Sequence, residues 1–277
     1  LDLPPPVLYI RGRISPAPAI AVVGSREATP QGLESAELFG RGLAEHGLTV
    51  VSGFARGIDL AAHRGTLSVA DGQTVAVLGC GLDVDYPRGR RRLRRQIPTC
   101  GALLTEFSFG TQPRALNFPI RNRIIAALSL GVLVVEGTPR SGSLITARLA
   151  LDLGRDVYAI PGSIFEPRAA GPNALIQDGA LLVQRPAEIV ASLPTTIRDS
   201  LSSSIGDPPP AVSGPTGALL ELMAPGQLLS AEHLSRASGE ALEQTLARLL
   251  ELEMLGLVER FPGAVFCRKA SGGLLAG

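Results

Sequence analysis

Five segments of this sequence gather glycine, arginine or hydroxyl side chains, a composition with which a chain can hold phosphate. The first is Ala21-Val-Val-Gly-Ser-Arg26. Gly24 leaves room beside the backbone, Ser25 offers a hydroxyl, and Arg26 brings a permanent charge. Thr29 and Pro30 then suit the N-cap and first position of a helix, whose unpaired N–H groups attract anions. A plain strand-to-helix turn with a solvated arginine would read the same way. The second is Ser52-Gly-Phe-Ala-Arg-Gly-Ile-Asp59, where Gly53 bares the backbone and Arg56 adds charge. Asp59 and the nearby His63 fit structural roles better than catalytic ones. The third is Tyr86-Pro87 followed by Arg88, the first of six arginines in the eight residues 88–95. Such a run is an electrostatic footprint for a polyanion, or one solvated helix face. The fourth is Pro113-Arg-Ala-Leu-Asn-Phe-Pro-Ile-Arg-Asn-Arg123. It sets Phe118 among Arg114, Arg121 and Arg123, with Asn122 between the last two. Single strands are held by that pairing, since bases stack on an aromatic ring while cations track the backbone. Phe118 equally suits a staple that pins the start of its helix to the core. The fifth, Glu136-Gly-Thr-Pro-Arg-Ser-Gly-Ser-Leu-Ile-Thr146, puts Gly142, Ser143 and Thr146 at a helix start, as an anion cradle or as simple capping.

A scaffold must bring these segments together. Continuous apolar runs at 20–23, 48–51, 74–78, 102–105, 131–135, 157–160 and 180–183 read as strands buried on both faces. Helical patterns at 30–45, 58–69, 118–129 and 143–153 separate them. The alternation predicts a doubly wound, Rossmann-like α/β domain over residues 1–193, with the five segments on one edge of its sheet. Residues 194–214, Ser-rich and then Pro-rich, have a linker's composition. Over 215–270, helices at 216–223, 230–237 (Ser230 as N-cap) and 240–255 precede a hairpin, 257–261 and 264–268, around Pro262-Gly263. That is a winged-helix pattern.

Composition removes several classes. Of 26 basic residues one is a lysine, Lys269, so no P-loop lysine exists for ATP hydrolysis. Gly79-Cys-Gly81 lacks the third glycine of a dinucleotide fingerprint. Cys80, Cys100 and Cys267 have neither metal spacing nor a disulfide framework, so no metal or cofactor is expected and a reducing cytoplasm is. No apolar run reaches membrane-span length, and no membrane role is expected. Residues 215–270 carry seven acids against five bases, the wrong sign for binding duplex DNA, while the remaining chain is about three positive. The C-terminal module therefore reads as an accessory or protein-contact domain.

Taken in order, Val-Val-Gly-Ser-Arg26, Ser52-Gly-x-Ala-x-Gly-Ile-Asp59, Gly79-Cys-Gly-Leu-Asp-x-x-Tyr-Pro87, Phe118-Pro-x-Arg-Asn-Arg-Ile-Ile125 and Ser141-Gly-Ser-Leu-Ile-Thr-Ala147 resemble the DprA/Smf family over roughly residues 4–192. Pro5-Pro-x-Leu-Tyr9 fits the lead into that family's Rossmann domain. The resemblance implies a single-stranded-DNA-binding protein, not an enzyme. It also implies a homodimer that protects incoming DNA and loads a RecA-type recombinase in natural transformation. It places the DNA pocket on Gly24, Ser25, Arg26, Gly53, the Arg88 region, Phe118, residues 121–123 and residues 142–146. Arg88 and Arg114 stand where the family often has lysine, which keeps the charge and changes the contact geometry. The family's usual N-terminal helical module is not found in the sequence, and the abrupt Leu1-Asp-Leu-Pro opening suits a trimmed chain.

Two rival functions fit part of the pattern. One is a Rossmann-like enzyme that hydrolyses nucleotides through Glu106 or Glu136. The other is a transcription regulator that acts through the winged helix.

Overall fold

A computed structural model describes residues 4–204, 214–223, 227–255 and 257–268. They form two compact units that part between Leu201 and Ser202. The first contains β1 (Tyr9–Gly12), β2 (Ala19–Val23), α1 (Pro30–Glu45), β3 (Thr49–Ser52), α2 (Ile58–Leu67), β4 (Thr74–Val77), α3 (Arg91–Cys100) and β5 (Gly101–Thr105). It continues through α4 (Asn117–Ala127), β6 (Gly131–Val134), α5 (Gly142–Asp152), β7 (Asp156–Ala159), α6 (Ala170–Gln177), β8 (Leu181–Leu182), α7 (Pro186–Ser192) and most of α8 (Thr195–Ser204), within which the boundary falls. Its eight strands lie in the order β1-β5-β4-β3-β2-β6-β7-β8. All pair in parallel except β1, which lies antiparallel on β5.

Both faces of this sheet are covered, which is why its strands read as unbroken apolar runs. Along β2 and β6, Ala21, Val23, Val132 and Val134 turn to one face and pack with Ile124, Ile125, Leu144 and Ala147 of α4 and α5. Ile20, Val22 and Leu133 turn to the other and meet Phe39, Leu43, Ile58 and Ala61 of α1 and α2. The Val, Leu, Ile and Phe side chains among these each contribute roughly 1.5–3 kcal/mol on burial. The expected linker at 194–214 begins differently. Its first part is α8, because Ile197 and Leu201, one turn apart, pack with Ile189 and Leu193 in that second layer. The Pro-rich part, 205–213, lies outside the described residues.

The second unit holds α9 (Pro215–Glu221), β9 (Leu228–Ser230), α10 (Ala231–Ser238), α11 (Leu242–Met254), β10 (Val258–Phe261) and β11 (Val265–Arg268). Its sheet order, β10-β11-β9, adds a short strand to the expected hairpin. Ser230 caps α10 by accepting from His233 N–H at 3.2 Å. Leu219, Leu234, Leu249, Leu252 and Phe266 form its core. Among the described residues no helix is long and apolar enough to cross a membrane.

Candidate nucleic-acid interface

The chain leaves β2 toward β3 on one side and later returns through β6 on the other. The loops after β2 and β6 diverge at this switch point, and a crevice opens where they part. It is a cavity of about 560 Å³. Gly24, Ser25 and Arg26 line it from the β2 loop, Ala55 and Asp59 from the β3–α2 segment, and Phe118, Arg121 and Asn122 from α4. Thr138, Ser141, Gly142, Ser143 and Thr146 close it from the β6–α5 loop and α5.

The first turn of α5 forms one wall of the cavity. The N–H groups of Gly142 and Ser143 lead this turn and carry the positive end of the helix dipole, while that of Leu144 donates to the Ser141 carbonyl at 3.2 Å. Ser141, the N-cap, makes no side-chain cap bond, and its hydroxyl instead meets that of Ser143 at 2.6 Å. A Cβ on Gly142 would touch nothing within 4 Å, so packing inside the chain does not demand glycine there. Asn122 fixes this turn by donating to the Gly142 carbonyl at 3.1 Å. The start of α1, expected to attract an anion, is already filled. Buried Glu136 accepts from Thr29 N–H at 3.0 Å and from its hydroxyl at 2.5 Å, while Thr29 caps Gly32 N–H at 3.0 Å.

Electrostatics come from Arg26 above and Arg121 below. Exposed Arg26 lies over the Phe118 ring, 4.5 Å from its centroid, so the aromatic face holds the guanidinium at the cavity's lip. Tyr86 leans on the same ring at 5.6 Å. Arg121 is buried, donates to the Gly53 and Val77 carbonyls, and leaves Nε without a partner. Burial pushes its pKa down to about 10, with Asp59 opposing, so it stays charged at neutral pH. Burial pushes the Asp59 carboxyl up, and Arg121 holds it back. His63, pushed down to about 3 by burial, is neutral and contacts the Thr74 hydroxyl at 2.8 Å.

Comparison with known proteins bears on this geometry. Residues 1–194 match the family model for DNA recombination-mediator protein A, and residues 206–264 match that for the DprA winged helix domain. The chain belongs to the DprA/Smf family. Protein Smf of Escherichia coli is 40% identical over 94% of this chain and 71% of its own length. DNA processing protein DprA of Streptococcus pneumoniae is 47% identical over 68% of this chain and 66% of its own. The solved Streptococcus pneumoniae DprA gives a TM-score of 0.64 at 46% identity, covering 68% of this chain and 66% of that one. DNA processing protein A from Helicobacter pylori, solved for its single-stranded DNA binding mode, gives 0.63 at 28% identity, covering 73% and 90%.

Within this DprA/Smf scaffold the predicted residues separate into those at the cavity and those that brace it. Gly24, Ser25, Arg26, Phe118, Arg121, Asn122, Gly142, Ser143 and Thr146 all line it. Gly24, however, is small because Ile58 and the Glu136 carbonyl crowd its Cβ position, and Gly53 because the Arg121 guanidinium does. Phe118 is not an open stacking face, since Arg26 covers it. Arg123 faces inward, bidentate to Glu106 at 2.6 and 2.7 Å. Arg56, Arg88 and Arg114 are exposed and lie outside the cavity lining. In the arginine run, Arg94 donates to the Leu82 and Tyr86 carbonyls and Arg91 pairs with Asp85, so two of the six hold their own loop. Asp59, Thr138 and Ser141 line the cavity beyond expectation, although each lies inside or beside a glycine-rich segment.

Proposed function

We propose that this DprA/Smf protein binds single-stranded DNA across the switch-point cavity, in the cytoplasm, and loads a RecA-type recombinase on incoming DNA during natural transformation. The start of α5, without a side-chain cap, and Arg26 carry this reading: they line one cavity and pair helix N–H groups suited to phosphate with a cation held against the Phe118 ring. An exposed arginine set on several loops suits an extended backbone better than one small phosphate. Hydrolysis through Glu106 or Glu136 fits less well, since one carboxylate is bound to Arg123 and the other to Thr29. Release of free base from a nucleotide would restore it. The winged helix suits duplex reading poorly. Arg248 is paired with Glu240 at 2.8 Å and Arg268 donates to the Leu220 carbonyl, while Glu243 and Glu251 are exposed on α11.

The homodimer is part of the same proposal. Beside edge strand β8, exposed Leu151 and Leu181 line a groove of about 670 Å³ together with Arg148, Arg155, Asp156 and Asp178. Mixed charge on one patch is self-complementary under a two-fold axis, as a second copy requires. Sedimentation should give a dimer, and a monomer at every concentration contradicts it. Recombinase loading is checked by whether the protein speeds filament growth on single strands.

Gly142→Val tests the binding site. The added side chain enters open space, so the melting temperature should move by only a few degrees. Affinity for a single-stranded oligonucleotide should fall roughly tenfold or more, because the methyl groups stand where a phosphate would approach. Unchanged affinity would remove α5 from the interface.

A further inference from the structure

The loop after β7 displays two apolar side chains almost fully to solvent: Ile164 is 87% exposed and Phe165 90%. The turn that carries them is built rather than loose. Asn173 clasps Gly162 with two hydrogen bonds, 3.1 Å to its N–H and 3.0 Å to its carbonyl. Ser163 accepts from Phe165 N–H at 3.2 Å, and Glu166 N–H closes the turn on the Ser163 carbonyl at 3.0 Å. Glu166 itself is neutralised by Arg168 at 3.1 Å. Two adjacent apolar side chains held in water on a braced turn make an exposed apolar patch, the kind of surface that marks a contact site.

Its position indicates what it contacts. β7 is the neighbour of β6, so this loop leaves the same sheet edge as the cavity, one strand spacing farther along, about 4.8 Å. The two loops are joined directly. Gly137 N–H donates to the Arg168 carbonyl at 2.7 Å, and Gly171 N–H to the Gly137 carbonyl at 2.8 Å. Thr138, next in the chain, lines the cavity, and Arg140, two residues on, is exposed on the same loop. Inside the cavity Arg26 lies over the Phe118 ring, so a base stacking there would have to displace that contact.

We propose that Phe165, with Ile164 beside it, is a base-stacking platform for single-stranded DNA leaving the cavity over the β6–α5 loop. This rests on the single-strand reading of the cavity. It makes the interface longer than the cavity and assigns phosphate binding and base stacking to different loops.

The chain has no tryptophan, so Phe165→Trp is a unique reporter. The probes are oligothymidylates of about six and about twenty nucleotides. The longer one should quench the Phe165→Trp fluorescence, and the shorter one should leave it unchanged. Phe165→Ala should bind the longer probe roughly tenfold more weakly than the unaltered chain and the shorter one equally well. Equal weakening on both probes would put Phe165 within the cavity's own contacts and overturn the extension. Wild-type affinity on both with no quenching would also overturn it, and a changed sedimentation mass would then mark the pair as a protein contact. If the unaltered chain binds neither probe, the single-strand reading fails as well.

Discussion

Arg26→Glu is expected to weaken single-stranded DNA binding by roughly a hundredfold, about 2.7 kcal/mol, with the fold intact. Arg26 is exposed and makes no ion pair among the described residues, so its reversal removes the contact with the Phe118 ring and the smallest of the charge interactions that offset the burial of Asp59. What is lost is a cation at the lip of the cavity that the start of α5 also lines, and what is gained is repulsion at that lip. Arg236→Glu is the matched control, an equally exposed arginine on α10 of the second unit. It should cost less than about threefold, through screened long-range repulsion alone. Titration of both variants with a labelled oligonucleotide, with circular dichroism to confirm folding, checks this. Similar losses in the two would move the site away from the cavity.

Arg121→Met should act on stability first. Replacing a buried charge by an apolar group can be neutral when its partners go too. Here the Gly53 and Val77 carbonyls stay buried without a donor, and Asp59 loses the positive charge that offsets its burial. Unsatisfied groups of this kind cost about 1–3 kcal/mol each, so a total of roughly 3–5 kcal/mol is expected, a fall of about 8–15 °C in melting temperature. The loss depends on pH with a definite sign. The folded protein already holds the Asp59 proton above the ordinary carboxylate value of 3.8, and without Arg121 it holds it more tightly. A folded state that binds the extra proton loses stability as pH rises above the unfolded value and through the folded one. The variant should therefore be more destabilised at neutral pH than near pH 4, and adding Asp59→Asn should recover part of the difference. Thermal melts across pH measure it. A loss independent of pH would mean that Arg121 does not offset Asp59.

The central strands were legible because burial on both faces leaves little but aliphatic residues, and the loops after them because glycine and arginine stand out against that background. What escaped was set by partners distant in sequence. Nothing near Arg121 or Arg123 indicates that one meets carbonyls 68 and 44 residues away and the other the Glu106 carboxylate. Both read as phosphate ligands because a guanidinium looks alike whether it faces a ligand or a backbone. Glu136 read as a candidate catalyst, although it takes the helix start that Thr29 and Pro30 advertise to an anion. Edge strand β1 escaped for the opposite reason: it exposes three of its four residues and so lacks a buried strand's pattern, whereas β8 falls within the expected run 180–183. Helix α6 was hidden by Gly171 and Pro172 in its first turn. Phe165 resembles a core residue in sequence, and only its exposure sets it apart.

The central claim, that this chain holds single strands by their phosphates at the β2–β6 crevice, is tested most directly by titrating the unaltered protein with single-stranded and duplex DNA of one sequence over a range of salt. The account predicts at least tenfold tighter binding of the single strand near 0.1 M salt. It also predicts a log–log salt slope of roughly −2 to −3.5, as three to five displaced counterion sites would give. Equal affinity for the duplex, or an affinity indifferent to salt, would contradict it.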